Sequence, residues 1–239
     1  MEKLTISVVI PAAGQGRRMK ASINKQYLTL KKKPILSYTL DVFEQCQVID
    51  EIIVVVNKDE IEICQQQVLA PYGYQKVKLV VGGDTRQKSV YEGLKQVNEK
   101  TQIVLIHDGA RPMIKEETIL KSIEETRRHR ATVVAVPAKN TIKVVDQDGF
   151  VHHTPDRSTL YEIQTPQSFE YKLILEAHAR AKADGFEGTD DASLIERLNL
   201  PVKIVLGEYN NIKITTPEDL IITESMIDFF FETPEDRQE

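Results

Sequence analysis

Six short runs of Val, Ile and other apolar residues recur along the chain, at 6–10, 52–56, 77–81, 103–106, 132–136 and 202–206, and each is near-continuous rather than alternating. A strand that is apolar on both sides must be covered on both sides, which is the mark of a parallel sheet between helices. Amphipathic stretches of helical period separate the runs, at 35–45, 59–69, 87–96, 116–130, 171–183 and 217–230. The last opens well for a helix: Pro217 stands at the first helical position after Thr216, and Glu218 and Asp219 follow in the first turn. This order of elements predicts an α/β fold with a doubly wound, mostly parallel sheet. At 239 residues, 41% hydrophobic and 28% charged, the chain has enough apolar material for one large domain over 1–239.

One segment breaks the alternation. Residues 139–154 read as two short extended runs around Asp146-Gln147-Asp148-Gly149, and the Asp-Gly step is a hairpin signal. We expect an arm at about 138–160. A two-stranded hairpin is marginal alone in water, so it needs a surface to pack on, and a second subunit is the natural candidate. The tail at 233–239 is polar and acidic and is expected to fray.

Composition removes several classes. With 31 Lys plus Arg against 36 Asp plus Glu the net charge is −5, which argues against a general nucleic-acid binder. Cys46 and Cys64 form no CxxC motif and have no histidine cluster beside them, so they read as small buried hydrophobes. No run approaches the roughly 18 residues needed to cross a bilayer, and the first is too short for a signal peptide, so no membrane association and a cytoplasmic location are expected.

In open α/β sheets ligands sit at the carboxyl ends of the strands. The loop after the first run is Pro11-Ala12-Ala13-Gly14-Gln15-Gly16-Arg17-Arg18-Met19, small residues whose N–H groups can approach phosphate oxygens. It is not a dinucleotide fingerprint, because Met19 stands where the third glycine belongs, and there is no P-loop GK[ST]. Instead Arg17, Arg18, Lys20 and Lys25 fall within nine positions of an otherwise acidic chain, a local reversal of charge suited to a triphosphate. The third strand ends in Gly82-Gly83-Asp84-Thr85-Arg86-Gln87-Lys88-Ser89, where the glycines permit close approach and Ser89 is expected to open a helix. The fourth ends in His107-Asp108-Gly109-Ala110-Arg111-Pro112. Asp108 is the metal candidate, since magnesium takes one or two carboxylates together with substrate phosphates and water. His107 reads as a structural neighbour rather than a base, and His152 and His153 as surface residues of the arm.

Together these loops resemble the 2-C-methyl-D-erythritol 4-phosphate cytidylyltransferase family. The resemblance continues through Lys25-Gln26-Tyr27-Leu28, Thr141-Ile142-Lys143, Thr154-Pro155-Asp156-Arg157 and Gln164-Thr165-Pro166-Gln167. It extends to Thr189-Asp190-Asp191-Ala192-Ser193, Asn211-Ile212-Lys213-Ile214-Thr215 and Pro217-Glu218-Asp219-Leu220, and so spans 8–220. It implies a Rossmann-like sheet of the nucleotidyltransferase type and a magnesium-dependent transfer of CMP from CTP to methylerythritol phosphate. By the family's pattern Arg18, Lys25 and Lys213 surround the triphosphate, and Asp108 binds Mg2+. Ala12, Ala13, Gly14, Gly16, Gly83, Asp84 and Ser89 hold cytosine and ribose. Arg111, Thr141, Arg157, Thr165 and Thr189 grip the acceptor, with arm residues contributed across a homodimer. No Ser-His or Cys-His pair is needed, because a phosphate dianion is itself a competent nucleophile. At this length no fused cyclodiphosphate synthase domain, which some relatives carry, is expected.

The chain departs from the pattern at Asn24 (usually Pro), Gly109 (Ala), Asn140 (Asp) and Tyr161 (often Trp), and none of these removes a catalytic charge. A ribitol-5-phosphate cytidylyltransferase resembles the CTP half but fits the stretch 136–143 less well. A non-catalytic nucleotide-binding module would not need Lys25, Asp108 and Lys213 together, and a nicotinamide dehydrogenase lacks its fingerprint.

Overall fold

The computed structural model describes residues 4–14 and 24–231. The first apolar run is β1 (Ile6–Pro11); after it β2 (Thr29–Leu30) and β3 (Lys33–Pro34) make a small hairpin leading into α1 (Ile35–Gln45). Next come β4 (Glu51–Val56), α2 (Ile61–Cys64), β5 (Val77–Val81), α3 (Arg86–Leu94), β6 (Ile103–Ile106), α4 (Glu116–His129) and β7 (Ala131–Pro137). The arm holds β8 (Val144–Val145) and β9 (Val151–His153); β10 (Tyr161–Glu170), α5 (Tyr171–Ala183), α6 (Ala192–Glu196), β11 (Lys203–Leu206) and α7 (Pro217–Phe231) complete the chain.

The central sheet runs β11-β7-β10-β6-β1-β4-β5. All neighbours are parallel except β10, which lies antiparallel to both β6 and β7. All six apolar runs are strands of this sheet, and those in β1, β4, β6 and β7 are buried on both sides as expected. The edge strands β5 and β11 are partly exposed, Val81 to 46% and Leu206 to 57%, because each has a neighbour on one side only. Ile6, Val8 and Ile10 of β1 face a cluster with Leu40, Phe43 and Ile119. Val9 points the other way, toward Val90, Leu94 and Ile174. Fully burying one such side chain stabilises the fold by about 1.5–3 kcal/mol. Helix α3 lies flush on the sheet: a Cβ at Gly93 would stand 2.7 Å from both Val55 and Val9, so only glycine fits there.

Several expectations need correction. The sequence leaves 161–170 without an element, yet the segment is β10, near the middle of the sheet. The helix expected at 59–69 is three pieces: a 3-10 turn at Lys58–Glu60, α2, and a π turn at Gln65–Leu69. Its last bond, Ala70 N to Gln65 O at 2.9 Å, widens the final turn ahead of Pro71, which has no N–H to continue the ladder. Ser89 does not open α3. Thr85 caps it, accepting from Lys88 N at 3.2 Å, and Ser89 sits one turn in, donating to Gly83 O at 3.1 Å.

The arm is present where the Asp-Gly step places it. Asp146 Oδ1 accepts from the backbone N–H of Asp148 and Phe150 at 3.1 and 2.9 Å, and Gly149 takes a left-handed φ of 87°. His152 and His153 are exposed on it, as expected. Cys46 and Cys64 are buried and free, and burial pushes the Cys64 thiol up to about 12. Among the described residues no helix is long and apolar enough to cross a membrane. The tail at 233–239 lies outside the described residues.

Candidate active site

A cavity of about 510 Å³ opens at the carboxyl ends of β1, β4, β5 and β6. Its wall is the small-residue loop. Ala12 keeps strand pairing, its N–H donating to Val55 O at 2.7 Å. The Ala12 carbonyl accepts from Gln26 Nε2, and the Ala13 carbonyl from Asn57 Nδ2 at 2.8 Å. Among the described residues, its chain neighbours aside, Gly14 has no heavy atom within 4 Å of where a Cβ would stand, whereas a Cβ at Gly83 would lie 2.6 Å from Lys88 Cβ.

The floor is Asp108, 6% exposed. Its Oδ1 accepts from Arg86 Nε at 3.2 Å and its Oδ2 from Lys213 Nζ at 2.8 Å, with Arg111 Nε farther off at 3.4 Å. Burial alone would raise this carboxyl's pKa, but Arg86, Lys213 and Arg111 hold it well below the usual carboxylate range. The Asp108 N–H donates to Thr165 Oγ1 at 3.1 Å; that hydroxyl lies 3.1 Å from His107 Nδ1, and His107 Nε2 lies 3.1 Å from Arg111 O. These bonds close only if the ring donates from Nε2 and accepts at Nδ1. Burial lowers the His107 pKa to about 4, so the ring is a neutral brace, the structural neighbour its sequence context suggests.

The later motifs supply the supports. Asn211 Nδ2 donates to Thr165 O at 2.9 Å and Gln164 Oε1 at 3.2 Å, which sets Lys213 two residues on. Arg111 Nη1 donates to Asn211 O at 2.7 Å. Gln167 ties down the loop at 188–193, donating to Asp190 Oδ2 at 2.8 Å and accepting from Ala192 N at 3.0 Å. Asp191 then meets Arg86, whose Nη1 donates to Asp191 Oδ2 at 2.7 Å. Burial opposes the charge on Asp191, yet Arg86 and His178 lower its pKa.

Ala12, Ala13, Gly14, Gly83, Asp84 and Ser89 therefore come together around one cavity, with Asp108 and Lys213 at its base. Arg111 and Thr165 are buried beneath that base, their polar atoms engaged with protein. Thr141, Arg157 and Thr189 are exposed and stand apart from the lining; Arg157 Nη1 donates to Lys139 O at 3.1 Å. Gly16 and Arg18 lie outside the described residues. Lys25 opens the 3-10 turn Lys25–Tyr27, with its side chain outside what is described. Sequence reasoning gave no role to Gln26, Asn57, Arg86 or Asp191. Asn57 was discoverable, since it directly follows a strand's carboxyl end; Arg86 and Asp191 meet across 105 positions, and no local pattern predicts that.

Among the described residues no three His, Cys, Asp or Glu side chains cluster to hold a metal. The oxygen-only donor Asp108 suits magnesium, which takes few carboxylates and fills its shell with phosphate oxygens and water.

A mostly parallel sheet that presents a small-residue loop, a lysine and a buried carboxylate to one cavity is the arrangement a nucleotidyltransferase needs, with backbone room for a nucleotide and charge for its phosphates. The sequence profile of the 2-C-methyl-D-erythritol 4-phosphate cytidylyltransferase family matches residues 6–228, and the chain belongs to that family. It is 49% identical over 222 residues to the 2-C-methyl-D-erythritol 4-phosphate cytidylyltransferase of Caldanaerobacter subterraneus subsp. tengcongensis, across 92% of this chain and 98% of the relative. It is 49% identical over 230 residues to that of Lachnoclostridium phytofermentans, across 95% and 97%. Among solved structures, the 4-diphosphocytidyl-2C-methyl-D-erythritol synthase of Anaerococcus prevotii matches with a TM-score of 0.85 at 39% identity, over 95% of this chain and 97% of that one.

Proposed function

We propose that this chain transfers CMP from CTP to 2-C-methyl-D-erythritol 4-phosphate, giving 4-diphosphocytidyl-2-C-methyl-D-erythritol and pyrophosphate. The observation that carries the chemistry is the 2.8 Å pair of Lys213 and Asp108 at the base of a cavity walled by Ala12, Ala13 and Gly14. A phosphate oxygen of the acceptor attacks the α-phosphorus in line; the new P–O bond forms as the bond to the β-phosphate bridging oxygen breaks, and pyrophosphate leaves. The protein's work is alignment and neutralisation of charge on the phosphoryl oxygens.

Lys213, Lys25 and Arg18 supply the positive charge. The wall residues, with Gly16, Gly83, Asp84 and Ser89, take cytosine and ribose by close backbone approach. Asp108 would hold Mg2+, which when bound withdraws charge from the triphosphate. Arg111, Thr141, Arg157, Thr165 and Thr189 take the acceptor, Arg111 and Thr165 from the buried side of the floor. The arm supports a homodimer: Val144, Val145, Phe150 and Val151 are exposed apolar residues on a two-stranded ribbon. The enzyme works in the cytoplasm, on soluble substrates.

The test is pyrophosphate release with magnesium and CTP, run in parallel with methylerythritol phosphate and ribitol 5-phosphate. Release with the first alone is expected. Release only with the second would keep the chemistry and reassign the acceptor, and release with neither would leave a nucleotide-binding module.

A further inference from the structure

The cavity accounts for Asp108 and Lys213 but not for a buried polar chain that starts behind it. His178, on α5, has a side chain with no exposure to solvent, and its Nε2 donates to Asp191 Oδ1 at 3.2 Å. Asp191, 1% exposed, gives its other oxygen to Arg86 Nη1 at 2.7 Å. Arg86 in turn reaches Asp108 Oδ1 at 3.2 Å through Nε. One guanidinium thus spans two carboxylates, and each oxygen of Asp191 has one of these two donors.

The ring of His178 lies parallel to Tyr91 with centroids 6.0 Å apart, and its Nδ1 has no partner among the described residues. A buried nitrogen without a partner costs about 1–3 kcal/mol, so an apolar side chain would fill this site more favourably if packing were its whole purpose. What the histidine adds is the Nε2 bond. Without it Asp191 is held by Arg86 at Oδ2 alone, its Oδ1 is buried with no donor from α5, and the carboxylate is no longer fixed at both oxygens for the guanidinium.

We propose that His178 is a positioning residue: it orients Asp191, which fixes Arg86, which assigns Oδ1 of Asp108 to the guanidinium and leaves Oδ2 to Lys213 at the cavity. The catalytic consequence rests on the cytidylyltransferase reading above; the mechanical one does not.

Two amides separate the two ring nitrogens. Glutamine places its amide nitrogen near the position of Nε2, whereas asparagine reaches only as far as Nδ1. The first readout is proton exchange at Arg86 Nε–H, followed by NMR on 15N-arginine protein without substrate and identified by its absence in Arg86→Lys. Exchange is expected to quicken about tenfold in His178→Leu and His178→Asn and to stay near the unmodified rate in His178→Gln, the scale of a coupling between directly linked side chains. The second readout is turnover. kcat falls about tenfold in the Leu and Asn variants with KM for CTP within about twofold, and His178→Leu has no further effect once Asp191→Asn is present.

Unchanged exchange in the Leu variant, equal behaviour of Gln and Asn, or additive effects with Asp191→Asn would overturn the proposal. If the Leu variant does not fold, the Gln–Asn comparison decides. An unmodified chain that does not turn over CTP would refute the proposed function and leave the exchange measurement to judge the relay.

Discussion

The floor of the cavity and the arm beside it are built by opposite rules. At the floor a carboxylate is 6% exposed and three cationic side chains converge on it, themselves held by Asn211, Asp191 and backbone carbonyls. On the arm Phe150 is 72% exposed, and the two strands contribute two and three residues. The floor is completed within one chain, because a buried charge must find its partners locally. The arm leaves apolar surface uncovered, so its geometry is finished only by something that packs on it. The first region should therefore be sensitive to single atoms and the second to association.

The largest effect should come from Lys213→Ala. kcat is expected to fall about 10²–10³-fold, with a much smaller change in KM for CTP, as for loss of one preorganised charged donor. Steady-state kinetics checks it, and a change confined to KM would reduce Lys213 to a ground-state contact.

Next is acid sensitivity at His107. Its folded pKa of about 4 lies below the ordinary 6.5, so the unfolded chain binds the extra proton first as pH falls. Stability is complete above about 6.5 and declines toward pH 4, by about 3 kcal/mol in total. Urea denaturation at pH 7, 5.5 and 4 should show this slope, flattened in His107→Asn. Asp108 and Asp191, with pKa values below the ordinary 3.8, extend the loss to still lower pH.

Gly93→Ala should cost about 1–3 kcal/mol by overpacking against Val55 and Val9, read as a lower Tm. Smallest in stability is Phe150→Ser on the arm, expected within about 0.5 kcal/mol of the unmodified chain. It should nonetheless weaken self-association in sedimentation and raise KM for the acceptor. Unchanged mass and unchanged acceptor KM would break the contrast between floor and arm.

The fold was legible wherever burial is hydrophobic. All six parallel strands show as Val/Ile runs, and the arm shows through its Asp-Gly step. β10 was not legible, because Gln164, Thr165, Gln167 and Ser168 are polar and Pro166 has no N–H for a ladder, so the stretch reads as loop. They are buried all the same, since His107, Asn211 and Asp190 satisfy the polar atoms of Thr165, Gln164 and Gln167. The cavity lining was legible from the strand-end rule together with glycine and alanine. The bridge through Arg86 was not, because its partners come from the loop after β6 and the loop before α6, and distance in sequence hides a charge pair.

β10 has one more consequence. Because it runs against its neighbours, it enters the sheet at the cavity end, directly after the arm. Tyr161 and Ile163 are still 42% and 43% exposed, and Thr165, two positions on, is buried with its hydroxyl on the Asp108 amide. Whatever seats on Ile163 is about 7 Å of extended backbone from that hydroxyl. The strand is a short lever, its outer end paired only with β7 and its fulcrum in the core, so whatever covers that end bears on the hydroxyl that braces Asp108.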